Sequence, residues 1–371
     1  MKRLLLLLAI ACGSSALTAQ SQEGALPAAM RTKAFSHLDL SLTTGSTGIG
    51  FDVSMPLNDV FSIRAGYAII PRFTQPMHFG VQVGDDPLKS QSKFERLSGM
   101  LEGFTGNKVD NVVTMNGKPT YWNWKLLVDA RPFKNKKWHL TAGVFAGNSQ
   151  VAEAVNAMED MPSLMAVSIY NNLYFKALNN EPYIKTGTVD VYLESFIADK
   201  LKDYGSMSIH MGDYKHDIYY DEDVVAQTNM FYPEGSENYY QKGDIIIHGS
   251  NWVDADGVEH GPDVKYAKGD PYRMVPDENS MVKAFAYANH FKPYVGFGYG
   301  GRLLKNDPRW QVSFDCGAMF WGGTPQIITH DGTDLVNDVE HVRGKVGDYV
   351  NIIKKFKVFP VLNLRITRRI F

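Results

Sequence analysis

The sequence predicts an all-β transmembrane fold, an antiparallel up-and-down barrel of eight strands with large mixed α/β extracellular insertions. Three observations predict it. Eight segments alternate apolar and polar residues with a period of two, short and long connections join these segments, and the chain begins like an exported protein. We therefore expect residues 35–371 to form the barrel and its insertions.

The first residues are typical of a secretory signal. Lys2 and Arg3 precede the apolar run 4–11, and Ala19 ends a plausible cleavage site. The run is too short to cross a bilayer as a helix. Residues 1–19 are thus predicted to be a signal peptide and 20–34 a periplasmic segment. Lipidation at Cys12 is the alternative, but Ala9 stands where a larger aliphatic residue is expected.

Each alternating segment is about as long as the ~9–11 residues that a tilted membrane strand needs. In the last one, Leu362, Leu364 and Ile366 share one face, and Asn363 and Arg365 share the other. The eight segments are 35–43, 48–57, 60–70, 122–133, 138–147, 291–302, 310–320 and 358–371.

The connections between the segments are of two kinds. Short turns lie at 58–59, 134–137 and 303–309, whereas the insertions 71–121, 148–290 and 321–357 are long. Short and long connections alternate along the chain with one exception. The link at 44–47 is short, although the alternation would place a long connection there. Tight periplasmic turns and longer outer loops are typical of outer-membrane barrels, so we expect the insertions to be extracellular.

The polar face of the segments carries charges of both signs. In a soluble sandwich this face would meet water, whereas in a membrane barrel it faces the lumen. Eight strands enclose a space that side chains can fill, so four carboxylates and four cations can neutralise each other in a plugged barrel. The predicted lumen charges are Asp39, Asp52, Arg64, Lys125, Asp129, Arg131, Asp315 and Arg365.

Aromatic residues stand near the ends of the predicted strands. Two girdles of aromatic side chains are expected where such a barrel meets the two lipid–water boundaries. The predicted interface residues are Phe61, Trp122, Trp124, Trp138, Trp310, Phe320 and Trp321.

Composition argues against nucleic-acid binding and against stabilisation by an intramolecular disulfide. With 38 basic and 40 acidic side chains the chain is nearly neutral, which gives no support to nucleic-acid binding. Removal of the signal would leave Cys316 as the only cysteine, so no intramolecular disulfide is expected.

The C-terminal strands resemble a known family. Residues 293–300 (PYVGFGYG), 310–320 and 360–371, with the hairpin around 126–133 (LLVDARPF), look like small outer-membrane β-barrel proteins of Gram-negative bacteria. The resemblance implies a fold and a compartment, the cell outer membrane, but no activity. It also implies outer-membrane lipids, lipopolysaccharide and, during insertion, the barrel-assembly machinery as partners. Phe371 departs from the family pattern. In the family the final aromatic residue lies on the lipid-facing side of the last strand, whereas Phe371 falls on the same face as Asn363.

The long insertions should have structure of their own, because loops of this length are uncommon. Helices are predicted at 151–158, 163–178 and 189–204, and helical spacing recurs in 334–356. From residue 206 onward the chain is rich in tyrosine and strand-like. Together these segments are expected to form an outer cap over the barrel mouth.

Candidate chemistry in the insertions is sparse. The run 254–257 (DADG) suggests calcium but lacks the later ligands of a calcium loop, so a hairpin turn is preferred. His210, His216, His248 and His260 fit no metal-ligand spacing and are interpreted as surface residues. No catalytic, cofactor-binding or metal-binding residue is predicted, and no cofactor is expected.

The function predicted from these observations is non-enzymatic. The barrel would anchor an extracellular cap for surface recognition, adhesion or envelope integrity, with an unknown extracellular ligand. Two alternatives stay open. One is a lipid-modifying enzyme at the outer rim, and the other is a channel in which strands within 206–264 widen the barrel to ten or twelve strands.

Overall fold

The computed structural model describes residues 34–186, 189–226, 245–355 and 357–370. The predicted signal peptide, the segment 20–33 and Phe371 lie outside the described residues. No described helix has the length and apolar character needed to cross a membrane.

In chain order the strands are β1 Asp39–Gly45, β2 Gly48–Pro56, β3 Phe61–Ile69, β4 Gln75–Val83, β5 Val112–Pro119, β6 Trp122–Ala130, β7 Trp138–Gly147, β8 Gln150–Asn156, β9 Ile184–Thr186, β10 Val189–Val191, β11 Met207–Tyr214, β12 Ile218–Tyr219, β13 Val224–Ala226, β14 Ile245–Ile247, β15 Trp252–Val253, β16 Glu259–His260, β17 Val264–Tyr266, β18 Pro271–Met274, β19 Lys283–Tyr287, β20 Phe291–Arg302, β21 Trp310–Phe320, β22 Gln326–Thr329, β23 Val339–Glu340 and β24 Val358–Arg369. The helices are α1 Pro87–Thr105, α2 Met161–Leu178, α3 Ser195–Tyr204 and α4 Gly344–Lys355, and a 3₁₀ turn spans Met158–Asp160.

Eight strands form a closed antiparallel barrel in the order β1-β2-β3-β6-β7-β20-β21-β24. The predicted fold class is confirmed, and so is the resemblance to small outer-membrane barrels in fold. All eight alternating segments are barrel strands, although the first begins at Asp39 instead of residue 35. The proposal that strands within 206–264 widen the barrel is wrong, because the long strand there, β11, pairs with β4 and β18 outside the barrel.

The barrel wall has an apolar outer face and a polar inner face. Along β24 the side chains of Leu362, Leu364 and Ile366 are exposed, whereas Asn363 and Arg365 are buried. The register with β1 and β21 is continuous, so no bulge exchanges the two faces in this strand. Alternation along each strand therefore separates an apolar exterior from a charged lumen.

A second sheet, in the order β18-β11-β4-β5-β8-β19-β22, lies beyond the barrel, and we call it the cap sheet. Its strands β4, β5, β8, β19 and β22 directly follow or precede β3, β6, β7, β20 and β21, and they have the same order. Backbone hydrogen bonds such as Ile70 N to Tyr121 O and Ala288 N to Ser149 O join neighbouring strands across the junction. The cap sheet is thus a continuation of five barrel strands.

Helices cover one face of the cap sheet. Asp86 caps α1 by accepting a hydrogen bond from Leu88 N (2.9 Å), and Gly106 ends this helix with a φ of 70°. Helix α1 contacts β4 and α2, and α2 contacts β11 and α3. Their apolar side chains share one core with the sheet face that carries Phe79, Val81 and Val83. This core fixes the cap as a folded body.

Three of the helix predictions in the insertions need correction. Residues 151–158 form strand β8 and the start of a 3₁₀ turn, because β8 is held between β5 and β19. In 334–356, of which 334–355 is described, the helix found is Gly344–Lys355, since Val339 pairs with Tyr214 of β11 and Asp334 bridges Ile328. The prediction at 163–178 is confirmed, and that at 189–204 is right only for Ser195–Tyr204.

Candidate functional site

The middle of the barrel lumen is filled by a buried ion-pair network. The network joins three carboxylates to three cations, all nearly inaccessible to solvent. Its members are Asp52, Arg64, Lys125, Asp129, Asp315 and Arg365. Equal numbers of both signs make the network neutral, which is the condition for burying charges at tolerable cost.

The contacts in this network are short. Arg64 lies 2.9 Å from Asp129 and 3.4 Å from Asp315, and Lys125 lies 2.6 Å from Asp52. Arg365 lies 3.1 Å from Asp315. Because these residues come from β2, β3, β6, β21 and β24, the pairs cross the lumen and fill it.

The other two predicted lumen charges lie at the short-turn end of the barrel. Asp39 pairs with Arg369 at 3.3 Å, and the Arg131 guanidinium donates a hydrogen bond to Ser62 Oγ at 3.4 Å. They line a more open space at this end of the barrel, which borders the buried network at Asp129 and Arg365.

Two lumen residues escaped the sequence analysis. His139 lies 2.7 Å from Asp315, and Gly298 makes room for this contact, since a Cβ at this position would overlap both side chains. Lys292 is fully buried, and its ammonium donates to Asn123 Oδ1 at 3.1 Å and to Asn148 O at 3.4 Å. Both residues stand on the inward parity of their strands, which is the signal that could have found them.

An apolar layer closes the lumen at the end where the cap begins. Tyr121, Phe145, Tyr294 and Met319 are buried there with Leu127 and Val361. The rings of Phe145 and Tyr294 meet edge to face with their centroids 5.4 Å apart. The charge network and this layer together obstruct the barrel.

The predicted interface aromatics occupy several environments. Trp124, Trp138 and Phe320 are exposed on the outer face, and Phe61 and Trp122 are half-buried. Trp310 lies under the Arg368 guanidinium, 5.2 Å away. Trp321 packs instead on Phe359 at 5.1 Å, next to the apolar layer.

The cap contains a cavity of about 280 Å³, which we call the cap cavity. It lies at the end of the cap sheet nearest the barrel, between the sheet and α4. Its floor is made of small residues on the three adjacent strands β5, β8 and β19, namely Gly117, Ala152, Ala154, Ala284 and Ala286. Elsewhere on the same face large side chains meet the helices, so the small residues are the cause of the empty space.

The walls of the cap cavity are apolar and adaptable. Four methionines, Met77, Met115, Met211 and Met274, line it together with Ile327 and Leu335. Helix α4 covers it with Val346, Tyr349 and Ile353. Unbranched methionine side chains adapt to ligands of different shape, and a cavity of this size is close to the lower limit of roughly 300 Å³ for ligand pockets.

Few polar groups reach the cap cavity. Gln75, Thr329 and Tyr349 are neutral. Lys118 and Glu153 alternate with the floor residues Gly117 and Ala154, so their Cβ atoms point to the opposite face of the sheet. The cavity therefore suits an uncharged, largely apolar molecule.

The two edge strands of the cap sheet, β18 and β22, are linked next to the cap cavity, and we call this link the clasp. The Tyr272 hydroxyl donates to Asp331 Oδ2 at 2.8 Å and lies 2.8 Å from Thr329 Oγ1. His330 Nε2 lies 2.8 Å from Val275 O. Burial, and secondly the Asp331 carboxylate, raises the pKa of Tyr272 well above its ordinary value. The clasp thus joins the two edges of the cap sheet beside the cavity.

The histidines of the insertions form no metal site within the described part of the chain. His248 and His260 stack on the two sides of Trp252, with centroid distances of 4.4 and 4.5 Å. Asp254 accepts hydrogen bonds from Asp256 N and Val258 N, which places residues 254–257 in a hairpin turn. His210 and His216 lie near Asp213 and Asp338.

Comparisons with known proteins give only remote likenesses. No family model matches the chain, and no curated protein sequence matches it. Solved structures that match include Acinetobacter baumannii CarO2, with 12% identity and a TM-score of 0.32 over 91% of this chain and 100% of that one. Acinetobacter baumannii CarO matches with 13% identity and a TM-score of 0.30 over 90% and 96%.

Proposed function

We propose that the protein is an outer-membrane protein whose plugged barrel is an anchor and whose extracellular cap binds a small apolar molecule. The single observation that carries the binding function is the cap cavity, which combines a floor of small residues with a flexible apolar wall. An apolar molecule that fills such a cavity removes apolar surface from water and gains dispersion contacts with the wall.

The membrane location is supported by the outer face of the barrel. Leu42, Leu126 and Phe314 are each at least half exposed on that face, while the ions are buried inside. Contact with water would make this apolar band unfavourable, whereas lipid hydrocarbon solvates it. The long insertions would then be extracellular, as in other barrels with short turns on the periplasmic side.

The alternatives have less support. A channel needs an open lumen, and the neutral ion network and the apolar layer fill this one. A lipid-modifying enzyme needs a histidine and a nucleophile or carboxylate facing the membrane at the outer rim. His139 does meet a carboxylate, but inside the lumen. The cap cavity favours ligand capture over adhesion or envelope integrity.

Methyl NMR of methionine tests the proposal. The full chain in lipid nanodiscs would be titrated with indole, a neutral aromatic probe. We expect the methyl signals of Met77, Met115, Met211 and Met274 to shift with saturation. Met55 on a barrel strand reports dissolution of indole in lipid, and the exposed Met100 reports bulk effects.

Two glycine variants supply the matched comparison. Gly117→Leu places a side chain in the cap cavity and should weaken indole binding by roughly tenfold or more, which is about 1.4 kcal/mol. Gly80→Leu, on the same sheet, meets only Asn111 O at 4.0 Å and should leave binding unchanged. Equal shifts of all methionines, or insensitivity to Gly117→Leu, would refute ligand binding in the cavity.

A further inference from the structure

A second cavity, of about 440 Å³, lies at the short-turn end of the barrel, and we call it the inner cavity. Its deep wall contains Asp129, His139 and Arg365 of the barrel lumen. Its rim contains exposed residues of the turns, among them Lys136 and Lys137, and the half-buried Arg131 lies deeper. The inner cavity differs from the apolar cap cavity in chemistry and in position, so ligand binding here is independent of the proposed function.

The charges that line the inner cavity are unbalanced. Six cationic side chains and three carboxylates line it. Arg365 is paired with Asp129, and Arg369 with Asp39. Four cations are left, Arg131, Lys136, Lys137 and Arg302, against the one carboxylate of Asp59. The buried network above is neutral, so the cationic excess belongs to this cavity.

The inner cavity also contains hydrogen-bond donors that suit oxygen anions. Ser54, Ser62, Ser313 and Thr367 place hydroxyl groups on the cavity wall. The Arg131 guanidinium donates to a hydroxyl, Ser62 Oγ, and a guanidinium gains more from an oxyanion than from a hydroxyl. Low-dielectric walls around the cavity concentrate the positive potential and attract anions.

We propose that the inner cavity binds a small oxyanion with two negative charges, of the phosphate or dicarboxylate class. The ligand would enter from the short-turn side, with Lys137 and Arg302 at the rim and Arg131 deeper in the cavity. The closed ion network stops it there, so the site is a binding site and not a passage.

Isothermal titration calorimetry tests this proposal on the full chain in a neutral detergent at low salt. The probes are inorganic phosphate and succinate, with chloride as the control anion. One-site binding of either probe supports the proposal and identifies the preferred oxyanion. The affinity should fall as sodium chloride is added, since salt screens a partly exposed cationic site. Absence of binding by both probes would overturn the proposal.

Paired variants locate the binding. The double variant Lys137→Gln/Arg302→Gln removes two exposed rim charges and should weaken binding at least tenfold. The matched variant Arg343→Gln/Lys345→Gln removes two exposed charges from the cap and should leave it unchanged. Heat-modifiable migration on gels checks that both remain folded. Equal weakening by both variants would mean nonspecific attraction and would also overturn the proposal.

Discussion

The charges of the lumen depend on one another because each is removed from water. Asp52 is fully buried, with Lys125 at 2.6 Å and Arg64 at 3.6 Å as its charged neighbours. A carboxylate in such a place is tolerated only while opposite charges compensate it. The network thus both fills the barrel and makes its stability sensitive to any single charge.

Lys125→Met should therefore strongly destabilise the barrel, by about 3–5 kcal/mol, because it leaves Asp52 with too little compensation. Urea unfolding in lipid vesicles measures the change. The comparison is Lys89→Met, which breaks an exposed pair with Asp86 and should have little effect. An equal loss of unfolding free energy in both variants would mean that charge compensation in the buried network does not stabilise the barrel.

The stability of the cap depends on the protonation state of the Tyr272 side chain. Its raised pKa means that the folded cap favours the protonated phenol, so this stabilisation is complete below the unfolded pKa of about 10 and is lost as pH rises toward the raised value. Above about pH 10 we therefore expect the clasp to loosen. The methyl signals of Met211 and Met274 should broaden, while that of Met319 in the barrel stays unchanged.

Tyr272→Phe tests the cause of that transition. The variant lacks the ionisable group and should be less stable at neutral pH by about 1–2 kcal/mol, since Asp331 loses a buried donor. It should also lose the alkaline change in the signals of Met211 and Met274. If the signals of Met211 and Met274 still broaden fully at alkaline pH in the variant, groups other than Tyr272 cause the transition.

Among the helices and strands, the sequence predicts those of the barrel much better than those of the cap. The barrel strands were predictable because lipid and lumen impose opposite requirements on alternate residues. Strand β8 was not, since Ala152 and Ala154 have no strand preference and are held by pairing with β5 and β19. Residues from separate insertions meet only in the folded cap sheet.

The cap cavity was hidden from the sequence for the same reason. Gly117, Ala152 and Ala284 are far apart in the chain, and nothing local marks a small residue as the floor of a cavity. The lumen charges were predictable as a set, because all of them fall on the polar face of an alternating strand. Their pairing was not, because partners such as Arg64 and Asp315 meet across the lumen from distant strands.

Across the molecule from the short turns to the cap, the interior changes character. The inner cavity is polar and cationic, the middle is a neutral ion network, the next layer is apolar, and the cap cavity is apolar with room for a ligand. This order separates the short-turn end from the cap. Binding at either end is then independent of passage through the barrel.

A plugged barrel predicts no stable conductance in planar bilayers, although the protein should insert and migrate in a heat-modifiable way on gels. Single-channel recording of the purified chain measures this directly. Insertion without current agrees with the filled lumen. Large and steady current steps would mean that the network opens in a bilayer.

The most direct test of a membrane-spanning barrel asks which solvent meets its outer face. Single cysteines at Leu362, Leu364 and Ile366, in a Cys316→Ser background, would carry spin labels for accessibility measurements in vesicles. Labels at the exposed cap positions Leu88 and Ile352 serve as references for water. We expect the three barrel labels to be relaxed by oxygen and shielded from a water-soluble nickel complex. Access of the nickel complex to them as readily as to Leu88 would contradict a membrane-spanning barrel.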